Sequence, residues 1–516
     1  MLAEILISFI KKNWVTCVYV IPFLSVAVYL LGEWRAAYGF NNLGKTVAAP
    51  FGYGRKTLHY NSSNCARAKF LDGKNLSIRN RETLGDIYLQ RSGTYKEVVL
   101  TTSKQLMEYC KSSSKNHSKL DTFGAGAFLV ALLGECLGFQ NGLEWSRMRK
   151  IYDSFFTHKA AIENFPVMTS YVSEWLENLD PSHISDIDPL QLVNDLPFTC
   201  IAKYLYGATS CSKEFLQDLK DLIPMHTELM HYSFLTVAGR FKILQYLPVK
   251  KMRQVSHFQK QFTDLSLKQV ELSRKTGQET VVEKLYKHVE SGRFSFNNWI
   301  QTVDEILFAN IEVTSTIMSW ALVEMASNTE VQIKLRSEIL KVIEESNTKH
   351  FSKEESNKEV GPMQRYIKLN NSYLQYCVWE TLRLHPLLWF SFPEVSSETL
   401  FIDGIRISPN TPIVVDQHQI NYNSPIWNPS DKPKDFGSKF FPSRFENITL
   451  RDALYSQVTF GVGARKCLGK NFAELLIKSE LAYILSRYKV SLIEKVEFSE
   501  NTFVVQPKTR IQLTEW

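Results

Sequence analysis

Cys467 lies in the run Phe460-Gly461-Val462-Gly463-Ala464-Arg465-Lys466-Cys467-Leu468-Gly469. Gly461 and Gly463 allow the backbone to turn tightly and to approach a flat ligand closely. Arg465 places a positive charge two residues before the sulfur, and an amphipathic helix is expected from Asn471 to about Tyr488. A nearby cation and a helix N-terminus both favour thiolate over thiol. Phe460 can pack against the sulfur and keep water away. A lone cysteine is most often a small core residue. A shielded thiolate cradled by backbone amides is suited instead to be the axial ligand of a haem iron, where it pushes electron density toward O–O cleavage.

Three further constellations carry chemistry. Trp145 and Arg149 are four residues apart, on one face of a helix. Taken alone, an aromatic beside a cation is most often a packed surface pair. The apolar helix expected over Phe296 to Glu324 has the centre Phe308-Ala309-Asn310-Ile311-Glu312-Val313-Thr314. Acids are rarely buried without a partner, so Glu312 between apolar turns needs a reason. Glu380 and Arg383 are three apart on a helix flanked by Tyr376, Val378, Trp379, Leu382 and Leu384, and that helix ends at His385-Pro386. Such pairs usually lie in solvent and contribute little; apolar flanks suit a buried, fully paired network.

With these residues in view, the chain resembles the cytochrome P450 superfamily. Phe460, Gly463, Arg465, Cys467 and Gly469 fill the fixed positions of its haem signature, Phe-x-x-Gly-x-Arg-x-Cys-x-Gly. The resemblance implies haem b with Cys467 as the iron ligand and Trp145, Arg149 and Arg465 around its propionates. It implies that Glu380, Arg383 and Arg444 (in Pro442-Ser443-Arg444-Phe445) form a structural network behind the haem loop. It also implies that Ala309 borders the cofactor and that Glu312, Thr314 and Asn310 handle protons on the oxygen side. Two positions depart from the usual Ala-Gly-x-Asp/Glu-Thr-Thr centre: Asn310 replaces the glycine and Val313 the first alcohol. A third departure is Pro393-Glu394, where the family commonly places a propionate-binding arginine. Leu388, Trp389 and Phe390, with Phe308, are expected to face the substrate, and Pro224 to Leu247 resembles a lid over substrate access.

The 516 residues are 44% hydrophobic with a formal net charge of +7. No basic cluster interleaved with aromatics suggests nucleic-acid binding. The eight cysteines are scattered without a Cys-x-x-Cys pair, against a disulfide framework or a zinc site. Asn13 to Gly32 carries no charge and is long enough to span about 30 Å of bilayer as a helix. Its rival reading is a cleaved signal peptide, although no clear cleavage site follows. The expected organisation is a membrane anchor over 1–35, a linker over 36–68 and a catalytic domain over 69–516. The fold class is mainly α, a cytochrome P450 fold with a small β-rich subdomain.

The leading hypothesis is a monooxygenase that uses O2 to oxidise a small apolar organic substrate. By resemblance, electrons come from NADPH through NADPH-cytochrome P450 reductase, with cytochrome b5 as a second donor. The body faces the cytosol from the endoplasmic reticulum membrane, as a monomer. The Asn/Ser/Lys-rich sequence resembles yeast microsomal members of secondary metabolism, among them those oxidising a cyclic dipeptide such as cyclo-dileucine; lipids and xenobiotics stay open. The Val313 departure gives weight to haem-thiolate chemistry without ordinary hydroxylation, such as N-oxidation, dehydration or rearrangement. From another class comes a haem-binding protein with no turnover, which substrate-dependent NADPH consumption would exclude.

Overall fold

The computed structural model describes residues 58–516, apart from 93–94, 112–116, 121–126, 181–183, 237–248, 309–310, 349–360, 500–501 and 503. The expected anchor, most of the expected linker, and Ala309 and Asn310 lie outside the described residues.

The chain is mainly helical, with strands gathered to one side. β1 (Tyr60–Asn64), β2 (Ile87–Ser92), β3 (Tyr95–Leu100), β4 (His117–Lys119), β5 (Glu394–Ser396) and β8 (Ile413–Val415) form one six-stranded sheet in the order β1-β2-β3-β8-β5-β4. β1 falls inside the stretch expected to be linker, so the folded body begins at least at Tyr60. β6 (Leu400–Ile402) and β7 (Ile405–Ile407) form a separate hairpin. β8 joins β3 across a long separation, with Val98 opposite Ile413.

The centre is a pair of adjoining helices, Phe296–Leu307 and Ile311–Ser327. The first is started by a capping box in which Ser295 and Asn298 satisfy each other's backbone N–H groups. The described residues of the expected helix fall in two parts, on either side of Ala309 and Asn310. Phe308 N–H still donates to Asp304 O, but Ile311 N–H donates to Phe308 O, a tighter three-residue step. By composition this stretch could cross a bilayer, yet 81% of its most apolar window is buried in the protein. It is a core element: Ile317, Met318, Trp320, Leu322, Val323 and Met325 are all buried. Each such side chain stabilises the fold by roughly 1.5–3 kcal/mol. Helices Gly142–Phe155, Tyr373–Leu384 and Lys470–Arg487 pack around this core and carry the residues of the site.

Candidate active site

The Cys467 loop is built by its glycines. Gly461 has φ +69° and Gly463 φ +76°, conformations that L side chains rarely adopt. They bracket a turn that ends with Cys467 N–H donating to Phe460 O at 2.8 Å. Helix Lys470–Arg487 then starts with Gly469 as its cap. Burial pushes the Cys467 thiol above its ordinary value; the N–H groups of Gly469 and Lys470 and the Arg149 charge pull it back. The sulfur is nevertheless accessible by area, because it opens onto an internal cavity rather than bulk solvent. The cation that acts on the sulfur is Arg149, not the sequence-adjacent Arg465.

Arg149 Nη1 donates to Lys466 O at 3.0 Å and Nε to Asp153 at 2.8 Å, tying helix Gly142–Phe155 to the loop. Arg465 turns the other way. Its guanidinium lies 4.1 Å from the Trp145 ring centroid and donates to Gln140 O (2.9 Å) and Asn141 Oδ1 (2.7 Å). Its Nε is buried without a hydrogen-bond partner among the described residues. Burial, reinforced by Arg149, lowers Arg465 to about 10. A third cation comes from β4. Lys119 Nζ is 2.5 Å from Glu394 Oε1 on β5, and Tyr109 donates to the other carboxylate oxygen at 3.1 Å. Burial alone would push Glu394 up; Lys119, Tyr109 and His117 outweigh it and hold the carboxyl below its usual range. So where the family commonly has an arginine, this chain has an acid that holds a lysine at the same cavity. Sequence reading missed Lys119 because its partner is 275 residues away.

Above the sulfur is a cavity of about 500 Å³ with largely apolar walls. Leu129, Leu133, Phe234, Leu388, Phe392 and Val313 are among its lining residues. Met230 and Phe234 of helix Ile223–Leu235 border it, so the described part of the expected lid does reach the site. Of the residues expected to face substrate, Leu388 does. Trp389 packs instead on His418 and Phe498, and Phe390 is buried with Tyr88 and Tyr422. Phe308 sits among Phe198, Phe258, Phe262 and His226. Leu387, Ser391 and Phe392 supply wall in their place. Val313 and Thr314 both border the cavity. Glu312 faces away and finds its partner in His231, whose Nε2 is 3.1 Å from Oε1. That hydrogen bond, against the opposing effect of burial, raises the His231 pKa.

Behind the loop, Glu380 gathers four donors. Arg383 Nε and Nη2 bind its two oxygens at 2.8 and 2.9 Å, while Arg444 Nε (2.8 Å) and Phe441 N–H (2.9 Å) share Oε1. Arg383 extends to the carbonyls of Asn421 and Gly437 at 2.7 and 2.5 Å. Asn421 Oδ1 accepts from Val458 N–H at 3.0 Å, and Thr459 donates to Leu382 O at 2.5 Å. The network therefore fixes the strand of chain that leads into Phe460. Both ions of the Glu380–Arg383 pair are fully buried, and Arg444 is nearly so.

A buried guanidinium nitrogen with no partner and a lowered pKa is what an absent anion leaves behind. Burial raises the Cys467 thiol, which a bound metal would reverse, and the cavity between is lined largely by apolar residues. These residues fit haem b: Cys467 could serve as the iron ligand, and Arg149, Arg465, Lys119 and Trp145 could meet its acid groups. The class of protein defined here is a haem-thiolate oxygenase. The cytochrome P450 family model matches residues 71–514, and the chain belongs to that family. It is 80% identical over 514 residues to cytochrome P450 monooxygenase PUL2 of Kluyveromyces lactis, covering 100% of both chains. It is 28% identical over 459 residues to cytochrome P450 monooxygenase gliC of Aspergillus fumigatus, covering 86% of this chain and 85% of the relative. With cytochrome P450 monooxygenase verC of Clonostachys rogersoniana it shares 29% over 454 residues, with the same two coverages of 86% and 85%. The enzyme is a P450 monooxygenase carrying haem b on a thiolate and supplied with electrons by a reductase.

Proposed function

We propose that this enzyme oxidises a small, largely apolar molecule in secondary metabolism, with a cyclic dipeptide such as cyclo-dileucine as candidate substrate. The observation that carries this reading is the Leu- and Phe-walled cavity over Cys467. It suits a molecule with branched aliphatic arms, oriented by few polar groups. NADPH-cytochrome P450 reductase is the proposed electron donor. Exposed Arg147 and Lys150, on the helix that carries Arg149, offer an acidic partner a docking face. Residues 13–32 are proposed as a single-pass anchor in the endoplasmic reticulum membrane, with the catalytic body in the cytosol. Protease protection of sealed microsomes tests that orientation.

The haem, when bound, supplies dioxygen binding and one-electron chemistry. The chain supplies the rest. Cys467 presents its sulfur from a turn held by the Phe460 carbonyl. Arg149, Arg465 and Lys119, with Trp145, would hold the acid groups of the cofactor. The apolar walls keep bulk water out, which strengthens the polar contacts that remain. Glu312 and His231 share a proton one residue from the cavity wall, and the Thr314 hydroxyl stands on the wall itself. Val313, also on the wall, brings no hydroxyl. This favours a second reading, oxidation without ordinary hydroxylation.

Reconstitution with reductase, NADPH and 18O2 separates the readings. One heavy oxygen bonded to carbon supports ordinary hydroxylation. A heavy oxygen bonded to nitrogen, or substrate-dependent NADPH use with no heavy oxygen in the product, supports the second. Failure of cyclo-dileucine to bind or to be consumed removes it as the candidate.

A further inference from the structure

Among the described residues Glu305 is the one acid that borders the cavity. It lies on helix Phe296–Leu307, two residues before the end of that helix. Its neighbours on the cavity surface, Leu137, Ile306, Leu307 and Ile311, are apolar. A carboxyl in such a wall is costly unless it is hydrogen-bonded. The chain also makes room for it. Gly138 N–H donates to Glu305 Oε2 at 3.2 Å, and a Cβ at position 138 would collide with Glu305 Oε1. Gly138 has no positive φ, so its backbone does not demand glycine. The missing side chain is what lets the carboxyl sit there. Burial, with Asp304 adding to it, raises the Glu305 carboxyl, while Gly138, Cys136 and Arg149 pull it down.

Glu305 lies outside the Glu312–His231 pair, and its charge opposes rather than supports the Cys467 thiolate. Its chemistry points to the substrate. A protonated carboxyl offers one donor and one acceptor side by side; an ionised one offers two acceptors. A lactam holds its amide cis, so its N–H and C=O also lie side by side and match the protonated carboxyl as a two-bond pair. An ionised carboxyl still accepts the N–H. We infer that Glu305 is the substrate-orienting residue of this cavity, pairing with the cis-amide edge of a lactam whose apolar arms fill the Leu- and Phe-lined remainder. This rests on the cavity being the substrate site. It names the functional group recognised, not cyclo-dileucine itself.

The test is calorimetric binding to the haem-loaded, full-length protein, with four ligands in two pairs. One pair is cyclo-dileucine and its N,N′-dimethyl form; the other is an isobutyl-substituted 2-piperidone and its N-methyl form. Wild type is expected to bind each N–H form at least about tenfold tighter than its N-methyl partner, roughly 1.4 kcal/mol. Glu305→Leu, of similar size, should reduce that preference to less than about threefold by leaving the amide edge unpaired. Gly138→Ala should weaken the preference in the same direction by displacing the carboxyl. Glu305→Gln, which keeps a donor and an acceptor, should retain part of it. An unchanged haem content and circular dichroism spectrum in each variant shows that the fold is intact. If Glu305→Leu keeps the full preference, or wild type has none, the inference is overturned. Wild type binding the piperidone with N–H preference but not cyclo-dileucine leaves Glu305 standing and removes the cyclic-dipeptide substrate. Cyclo-dileucine binding with a preference that Glu305→Leu does not move has the opposite meaning. Binding of none of the four overturns both.

Discussion

Replacing Asp416 with Asn should stabilise this protein, by an amount that grows with pH. Asp416 caps helix Gln417–Asn423: its Oδ1 accepts from Gln419 N–H at 3.0 Å and from Ser77 Oγ at 2.9 Å. The residue is fully buried, and Oδ2 has no hydrogen-bond partner among the described residues. Burial pushes the carboxyl up to about 7, against the opposing pull of the Gln419 and His418 amides, Ser77 and Arg81. In the unfolded chain it titrates near 3.9. Because the folded value is the higher one, the stability this group contributes is whole below about pH 4. It is lost as pH rises toward 7. Each pH step in that window costs about 1.4 kcal/mol, so at about pH 8 the ionised group costs roughly 4 kcal/mol relative to a neutral one. Asparagine offers the same acceptor oxygen to Gln419 and Ser77 and carries no charge. Urea unfolding followed by tryptophan fluorescence, at several values from about pH 5 to about pH 8, gives the difference between variant and wild type; other titrating groups largely cancel. That difference should climb from about 1 kcal/mol to several. A difference that is flat with pH, or that favours Asp416 at the alkaline end, refutes the reasoning.

Three other substitutions are informative. Glu380→Ala strands two buried guanidiniums and should cost about 3–5 kcal/mol or more; the expected outcome is little or no haem-loaded protein, and a normal yield with an unshifted urea midpoint would contradict it. Arg149→Leu removes the hydrogen bond to Lys466 O and the charge opposing burial of the sulfur, so haem should be held roughly 30-fold less tightly, about 2 kcal/mol; transfer to apomyoglobin measures this. His231→Ala should reduce the share of NADPH electrons that reach product. In wild type His231 keeps its proton to higher pH than an ordinary histidine, so coupling should fall as pH rises through the raised value. The variant should be low throughout, and a variant profile that overlays wild type would remove His231 from proton supply.

The thiolate side was legible in the sequence because its residues act through local spacing. Gly461 and Gly463 shape a turn within ten residues of Cys467, Trp145 and Arg149 share a helix, and Glu380 and Arg383 form a pair three apart. The cavity walls were less legible. After Pro386 the chain has no regular period, so sequence could not separate Leu388, which faces the cavity, from Trp389 and Phe390, which pack away from it. Partners brought together by topology were invisible. Lys119 meets Glu394 only because β4 is laid against β5, and His231 meets Glu312 only because the fold brings two helices 81 residues apart within side-chain reach. Glu312 did carry a signal, an acid among apolar turns, and the reason for it is His231. Glu305 carried the same signal one helix earlier and went unnoticed because it fits no familiar spacing. Arg465 shows the converse: adjacency in sequence suggested action on the sulfur, but its side chain turns to Trp145, Gln140 and Asn141.

The most direct test of the site is the spectrum of the reduced protein under carbon monoxide, before and after Cys467→Ala. Wild type should show the Soret band characteristic of thiolate-ligated haem. The variant should lose that band while its circular dichroism shows the same helical fold. A variant that keeps the wild-type band, or a wild type that binds haem without ever showing it, would contradict Cys467 as the iron ligand and the assignment of the cavity above it.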